Sequence, residues 1–216
     1  DAVAEFIENN LKAIPAEAEE QVPKRSLLLG RMHHHLGDMD EGIEAVKWYV
    51  EKNQDDAEGY GTLALMYLDT EKTEEARVFT KEALNRDPNQ LDALVTGGTL
   101  ALADNQIEKA DDYFEKSVSA RSTSGRSWAG KGLVSMLKLN LPQAIDHLKV
   151  AVRHMPNHIG TWHTLAWCQI LTEDLDGAEE SFNTAMDIDD RFGETYGGLA
   201  VVSILKGNTE NVDGLI

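Results

Sequence analysis

This 216-residue chain has three kinds of candidate for a metal, catalytic or phosphate-binding site, namely its histidines, its cysteine and its glycine pairs. The three consecutive histidines His33–His35 suggest a metal site, but adjacent helical side chains point about 100° apart and cannot converge on one ion. His154 and His158 have the i, i+4 spacing of a helical ligand pair. Pro156 lies between them and breaks the helix which that spacing requires. We therefore expect no metal site and no cofactor.

The remaining candidates do not form a catalytic or phosphate-binding set. Cys168 is the only cysteine, so the chain has no intrachain disulfide and no cysteine-based metal site. No serine or cysteine stands in a motif with a base and an orienting group. Gly97-Gly98 and Gly197-Gly198 lack the spacing of a phosphate loop, and helix packing explains them. We expect a protein that is not an enzyme.

A strict period of 34 residues determines where all these side chains lie. A period of this length is typical of stacked structural repeats. The windows begin at Pro23, Ala57, Leu91, Gly125, Ile159 and Gly193, and the last is incomplete. The eighth residues are Gly30, Ala64, Gly98, Gly132, Ala166 and Ala200, and the twentieth are Gly42, Ala76, Ala110, Ala144, Ala178 and Val212.

Each window has the pattern of two amphipathic helices. In the second window, Tyr60, Leu63 and Tyr67 share one helical stripe. A polar break follows, and a second stripe then runs until Pro88, which cannot continue a helix. Small residues in the eighth and twentieth columns allow two helix backbones to approach closely. A single pair leaves an apolar face in water, so stacking of the windows must supply the core.

These columns resemble the tetratricopeptide repeat, a helix–turn–helix unit. Tyr60, Trp128, Trp162 and Tyr196 match its aromatic fourth position, whereas Ser26 and Leu94 depart from it. The resemblance implies an all-α, right-handed superhelical solenoid of antiparallel helix pairs. Residues 23–216 would form five complete repeats and one partial repeat. Residues 1–22 would form a capping helix or a half repeat.

Composition limits the kinds of partner and the cellular compartment that we expect for this protein. The formal net charge is −18, and such an acidic surface repels nucleic acid. No stretch approaches the ~18 apolar residues of a membrane span, so we expect no membrane insertion. Residues 1–22 lack the basic start and apolar run of a secretory signal. We expect a cytoplasmic protein, although a chain that starts at Asp1 suggests a fragment or a processed piece.

In this family the second, fifth, ninth, twelfth and thirteenth residues of a unit tend to line a concave groove. Here the ninth and twelfth columns are mostly apolar from the second window onward, and the resemblance therefore implies an apolar groove. We expect Leu137, Leu171 and Leu205 in the thirteenth column to be core residues instead. The candidate partner-binding residues are Leu65, Leu68, Leu102, Leu133, Met136, His163, Trp167, Ile170, Val201 and Ile204.

The sequence thus predicts a non-catalytic adaptor or chaperone whose groove holds an apolar or amphipathic segment, a peptide or a helix, of a partner protein. At this level it is similar to repeat adaptors that many bacteria use in secretion and envelope assembly. Two alternatives stay open. The chain could be a self-associating part of an assembly, and hence a homo-oligomer, or an accessory region of a larger protein.

Overall fold

The computed structural model describes residues 24–208, and this part of the chain holds eleven α-helices and no strand. The prediction of an all-α repeat fold is confirmed. In chain order the helices are α1 (Arg25–Leu36), α2 (Met39–Lys52), α3 (Ala57–Asp69), α4 (Thr73–Arg86), α5 (Leu91–Ala103), α6 (Ile107–Ala120), α7 (Gly125–Leu137), α8 (Leu141–His154), α9 (Ile159–Leu171), α10 (Leu175–Ile188) and α11 (Gly193–Leu205).

The chain divides into two compact units between Ala103 and Asp104. We refer to residues 24–103, with helices α1 to α5, as the N-terminal unit. Residues 104–208, with helices α6 to α11, form the C-terminal unit. The cap predicted over residues 1–22 lies outside the described residues, as does Val212.

The small residues of the eighth and twentieth columns lie where paired helices touch. Ala64 and Ala76 are fully buried between α3 and α4. A Cβ atom at Gly30 of α1 would come within 2.8 Å of the Gly42 carbonyl oxygen of α2. A larger side chain at these positions would push the two helix axes apart. The packing role predicted for the two columns is confirmed for the helix pairs α1–α2, α3–α4, α7–α8 and α9–α10.

The same turn ends the first helix of each window. Its fifteenth residue adopts a left-handed backbone conformation, which satisfies helix-terminal carbonyl groups when the next N–H reaches back five residues. The Lys72 N–H donates to the Tyr67 carbonyl at 2.8 Å, and the Asn140 N–H donates to the Ser135 carbonyl at 2.9 Å. The fifteenth residues, with their φ angles, are Gly37 (88°), Glu71 (60°), Asn105 (57°), Leu139 (58°), Glu173 (63°) and Gly207 (78°).

Successive helices within each unit share their cores. In the N-terminal unit, one cluster contains residues 27, 46, 63 and 100, which come from four different helices. In the C-terminal unit, one cluster joins α8 to α9 through Leu148 and Leu165. Another joins α9, α10 and α11 around the buried ring of Phe182. A Cβ atom at Gly198 would lie 2.4 Å from that ring, so α11 can approach it only with glycine there.

Candidate partner-binding face

The first helices of the N-terminal unit are linked by ion pairs. Arg31 of α1 donates to the Glu58 carboxylate of α3 at 2.7 Å and to the Asp92 carboxylate of α5 at 3.1 Å. Its Nε donates to the Thr62 hydroxyl at 3.1 Å. One guanidinium group therefore bridges three first helices. The surface around Arg31 is occupied by side chains of the chain itself.

Lys24 extends this network at the start of α1. Its Nζ lies 2.5 Å from Glu58 and 3.0 Å from Asp56. Burial alone would raise the pKa of the Glu58 carboxyl, but the Lys24 hydrogen bond and the Arg31 charge hold that pKa below its usual value. The Glu58 hydrogen bond raises the pKa of Lys24 despite partial burial. Both groups are therefore charged at neutral pH.

The candidate residues of the N-terminal unit offer little apolar surface. Leu65 and Leu68 of α3 and Leu102 of α5 are each half-buried. Leu68 packs against the core of the unit. These residues remain candidates by position, but they lie in a unit whose first helices are bridged by charge.

The first helices of the C-terminal unit carry the opposite kind of surface. Trp167 is 43% exposed and Leu171 is 62% exposed on α9, and Ile204 is 52% exposed and Leu205 is 54% exposed on α11. Helix α9 packs against both α7 and α11, so these side chains belong to neighbouring helices. We define the apolar face as Leu133, Met136 and Leu137 of α7, Trp167, Ile170 and Leu171 of α9, and Val201, Ile204 and Leu205 of α11.

The apolar face has a rigid support beneath it. The Trp167 ring meets the buried Phe182 ring edge to face, with centroids 5.8 Å apart and planes at 85°. Ile170 packs against the core cluster that contains Phe182. Met136 packs against the cluster between α8 and α9. Half-buried side chains thus hold the exposed ones in place, as a preformed binding surface requires.

The structure corrects one expectation about the thirteenth column. Leu137, Leu171 and Leu205 were predicted to be core residues, and all three are exposed. The thirteenth residue lies five positions after the eighth, which is about 140° around the helix from the column that packs on the second helix. The sequence carried a signal for this exposure, because the same column holds His35 and Asp69 in the first two windows.

His163 also differs from its predicted place. Its side chain is buried, with Nε2 2.9 Å from the Thr195 hydroxyl of α11. Its ring lies 5.5 Å from the rings of Phe182 and Phe192. Burial lowers the pKa of His163, although the nearby Glu194 charge acts in the opposite direction. His163 therefore joins α9 to α11 and adds no surface to the apolar face.

The histidines that suggested metal chemistry point to different neighbours. His33 is buried with Nδ1 3.4 Å from Asp38, and the Nε2 of His34 lies 2.9 Å from Asp69. His158 caps α9 by accepting a hydrogen bond from the Thr161 N–H. Between residues 24 and 208, no three histidine, cysteine or acidic side chains are grouped as a metal site. No helix in that range could cross a membrane.

The chain shares its repeat with a known family. The sequence pattern of the tetratricopeptide repeat matches residues 57–90, in the N-terminal unit, and residues 159–192, in the C-terminal unit. The chain contains tetratricopeptide repeats. The second matched repeat consists of α9 and α10, and it carries Trp167 and Leu171.

Two relatives match part of this chain and are longer than it. The general transcriptional corepressor trfA of Dictyostelium discoideum is 26% identical over 114 residues, which are 52% of this chain and 8% of that protein. The BBSome complex member BBS4 of Bos taurus is 24% identical over 185 residues, which are 86% of this chain and 36% of that protein. The chain thus spans well under two thirds of either relative.

A solved structure shows the same fold. The pilF protein of Pseudomonas aeruginosa superimposes with a TM-score of 0.72 at 13% sequence identity, covering 92% of this chain and 90% of that one. At this identity the likeness is one of fold. The tetratricopeptide fold supports a role for this chain as a protein–protein interaction scaffold.

Proposed function

We propose that the C-terminal unit binds an apolar or amphipathic segment of a partner protein on the apolar face, and that the chain acts as a non-catalytic adaptor or chaperone. The repeat fold supports an interaction role. The name of one relative, a member of the BBSome complex, is in keeping with a role inside assemblies. The apolar face supplies what such a role needs, which is a surface that gains free energy when a partner covers it.

The observation that carries this proposal is the exposure of large apolar side chains on adjacent helices. Trp167, Leu171, Ile204 and Leu205 are all exposed on α9 and α11. Isolated exposed leucines are ordinary, but a contiguous apolar patch marks a binding surface. Trp167 combines large area with few rotatable bonds, and truncation of such anchors costs about 2 kcal/mol or more of binding free energy.

Affinity capture from native lysate with two matched double variants tests the proposal. Leu171→Ser with Ile204→Ser removes exposed apolar area from the face. Leu28→Ser with Val78→Ser removes comparable exposed area from the N-terminal unit. Ile170 is avoided because it packs against a core cluster. We expect the first variant to lose captured partners, the second to keep them, and both to keep the helical circular dichroism of the wild type.

Equal capture by the wild type and by both variants would contradict a partner-binding role for this face. Loss of capture in both variants would also contradict it, because the effect would then not be specific to the C-terminal unit.

A further inference from the structure

The segment that carries α9 and α11 is strongly acidic. Residues 159–208 contain nine acidic and two basic side chains. Both basic groups are already paired: Arg191 lies 2.9 Å from Asp189, and Lys206 contacts Asp176 and Glu179 at 2.5 Å and 2.6 Å. The uncompensated charge of this segment is negative, and part of it lies near the apolar face: Glu173 and Asp174 come two and three residues after Leu171, and Glu194 lies 3.8 Å from His163 of α9. Such a field attracts cationic ligands and repels anionic ones.

This charge argues against a second copy of the chain as the occupant. If two copies met through α9 and α11, each would bring the same negative charge to the interface. Like charges placed together at an interface cost several kcal/mol. A partner segment with basic side chains around an apolar stripe would instead neutralise that charge while it covers the leucines.

The side chains of the face also favour a helical occupant over an extended one. Thr164, which precedes Trp167 by one turn on α9, already donates its hydroxyl hydrogen to the Gly160 carbonyl. An extended segment would bring backbone N–H and C=O groups to a surface that offers them few partners. A helix satisfies its own backbone, so covering Leu171 and Leu205 costs it no backbone hydrogen bond.

Helix geometry sets the size of this occupant. Packed helices lie about 8–10 Å apart, and seven residues of a helix rise about 10 Å. A helix that crosses α9 and α11 can therefore place one apolar side chain on each, one heptad apart. Anchors at i, i+3, i+4 and i+7 with a flanking turn require a segment of roughly 12–15 residues.

We propose that the occupant of the apolar face is a basic amphipathic helix of about four turns, anchored on Trp167 and Leu171 of α9 and on Ile204 and Leu205 of α11. This inference rests on the proposed function, because it names the partner class of the same face.

Three designed 15-residue peptides test the inference. All carry leucine at the same heptad positions, and the other positions are lysine in one peptide, glutamate in the second and glutamine in the third. Isothermal titration calorimetry with the full chain gives each dissociation constant at low and high salt. We expect the lysine peptide to bind at least about tenfold tighter than the glutamate peptide at low salt. Salt should narrow that gap, because ions screen exposed charges.

Variants then locate the binding site. Leu171→Ser with Leu205→Ser should weaken the lysine peptide about tenfold, the loss expected when two exposed leucines no longer contribute buried apolar area. Leu28→Ser, in the N-terminal unit, should leave its affinity unchanged. Circular dichroism should show that the peptide gains helix when it binds.

Different failures of this experiment have different meanings. Equal binding of all three peptides, still lost in the Leu171→Ser, Leu205→Ser variant, overturns the basic partner and leaves the proposed function standing. If the lysine peptide binds this variant as tightly as it binds the wild type, the proposed site is wrong. If the peptide binds without gaining helix, the helical occupant is wrong. If no peptide binds while sedimentation shows dimers that the variant dissociates, the occupant is a second copy. If no peptide binds and no dimer forms, the helical occupant is overturned, and the lysate capture experiment decides the proposed function separately.

Discussion

The N-terminal and C-terminal units are built from the same 34-residue repeat, yet their first helices present opposite surfaces. In the N-terminal unit, Arg31 bridges carboxylates on two further first helices. In the C-terminal unit, the same ninth column holds Trp167, which is exposed above a buried phenylalanine. In the N-terminal unit, charged side chains of the first helices pair with one another. In the C-terminal unit, apolar side chains of the first helices stay exposed and can be covered by a partner.

The difference shows which columns of the repeat are free to change. The eighth and twentieth columns hold glycine or alanine in both units because helix backbones touch there. The ninth column holds Arg31 in one unit and Trp167 in the other, so charged and apolar residues are both compatible with the fold there. Packing therefore fixes the stack, and the remaining columns set what each unit can bind.

The largest expected effect comes from removing the support of the apolar face. Phe182 is fully buried and contacts Trp167, His163 and the Gly198 backbone. Phe182→Ala leaves a cavity, and we expect it to lower the free energy of unfolding by about 3–5 kcal/mol. Chemical denaturation measures the loss, and hydrogen exchange should place it in α9 to α11. A change of less than about 1 kcal/mol would show that Phe182 does not hold the face in place.

Breaking the ion pairs of the N-terminal unit should cost less. Arg31→Met keeps the apolar stem but leaves Glu58 and Asp92 without their shared cation. Because these groups are only partly buried, we expect a loss of about 1–2 kcal/mol at low salt. Raising the salt concentration should shrink the difference between variant and wild type. If the variant is as stable as the wild type at low salt, the network does not stabilise this unit.

Lowering the pH should change the stability of the two units differently. Burial lowers the pKa of His147 and of His163, both in the C-terminal unit. Such histidines stabilise the fold fully above the pKa of an unfolded histidine, about 6.5, and the contribution falls as the pH drops below it. The slope is at most about 1.4 kcal/mol per pH unit for each group.

In the N-terminal unit the pKa of Glu58 lies below its usual value, so its contribution is complete above about pH 4.3 and is lost only in stronger acid. Hydrogen exchange at pH 7 and pH 5.5, corrected for intrinsic rates, should therefore show destabilisation confined to α7 to α11. A variant with His147→Gln and His163→Gln should remove most of this pH dependence. Equal destabilisation of both units would contradict the assignment.

The smallest effect concerns the repeated turn. Leu139 has a φ of 58° and is exposed, so it occupies a left-handed conformation that a branched side chain disfavours. We expect Leu139→Gly to raise the free energy of unfolding by about 0.5–1 kcal/mol. Gly37 occupies the equivalent turn of the N-terminal unit, and Gly37→Ala should lower the free energy of unfolding by a similar amount. Thermal denaturation of the two variants checks the opposite signs.

The sequence predicted the repeat, the helix pairs and the packing columns, because a backbone contact tolerates only the smallest side chains. It also pointed to six residues of the apolar face. It missed Leu137, Leu171 and Leu205, since apolarity alone does not tell a buried leucine from an exposed one. It misplaced His163 for a similar reason, because its burial depends on Thr195, which lies 32 residues away. The Arg31 network was missed because its partners come from other windows.

The central claim is that the face around Trp167 binds a partner while the N-terminal unit does not. Incorporation of 5-fluorotryptophan gives one ¹⁹F resonance for each of the four tryptophans, and Trp→Phe variants assign them. Trp48 of α2 is an internal control, because it is 37% exposed against 43% for Trp167. When the lysine peptide is added, we predict a change in the Trp167 resonance with Trp48 unaffected. A Trp48 shift with an unchanged Trp167 resonance would contradict the claim.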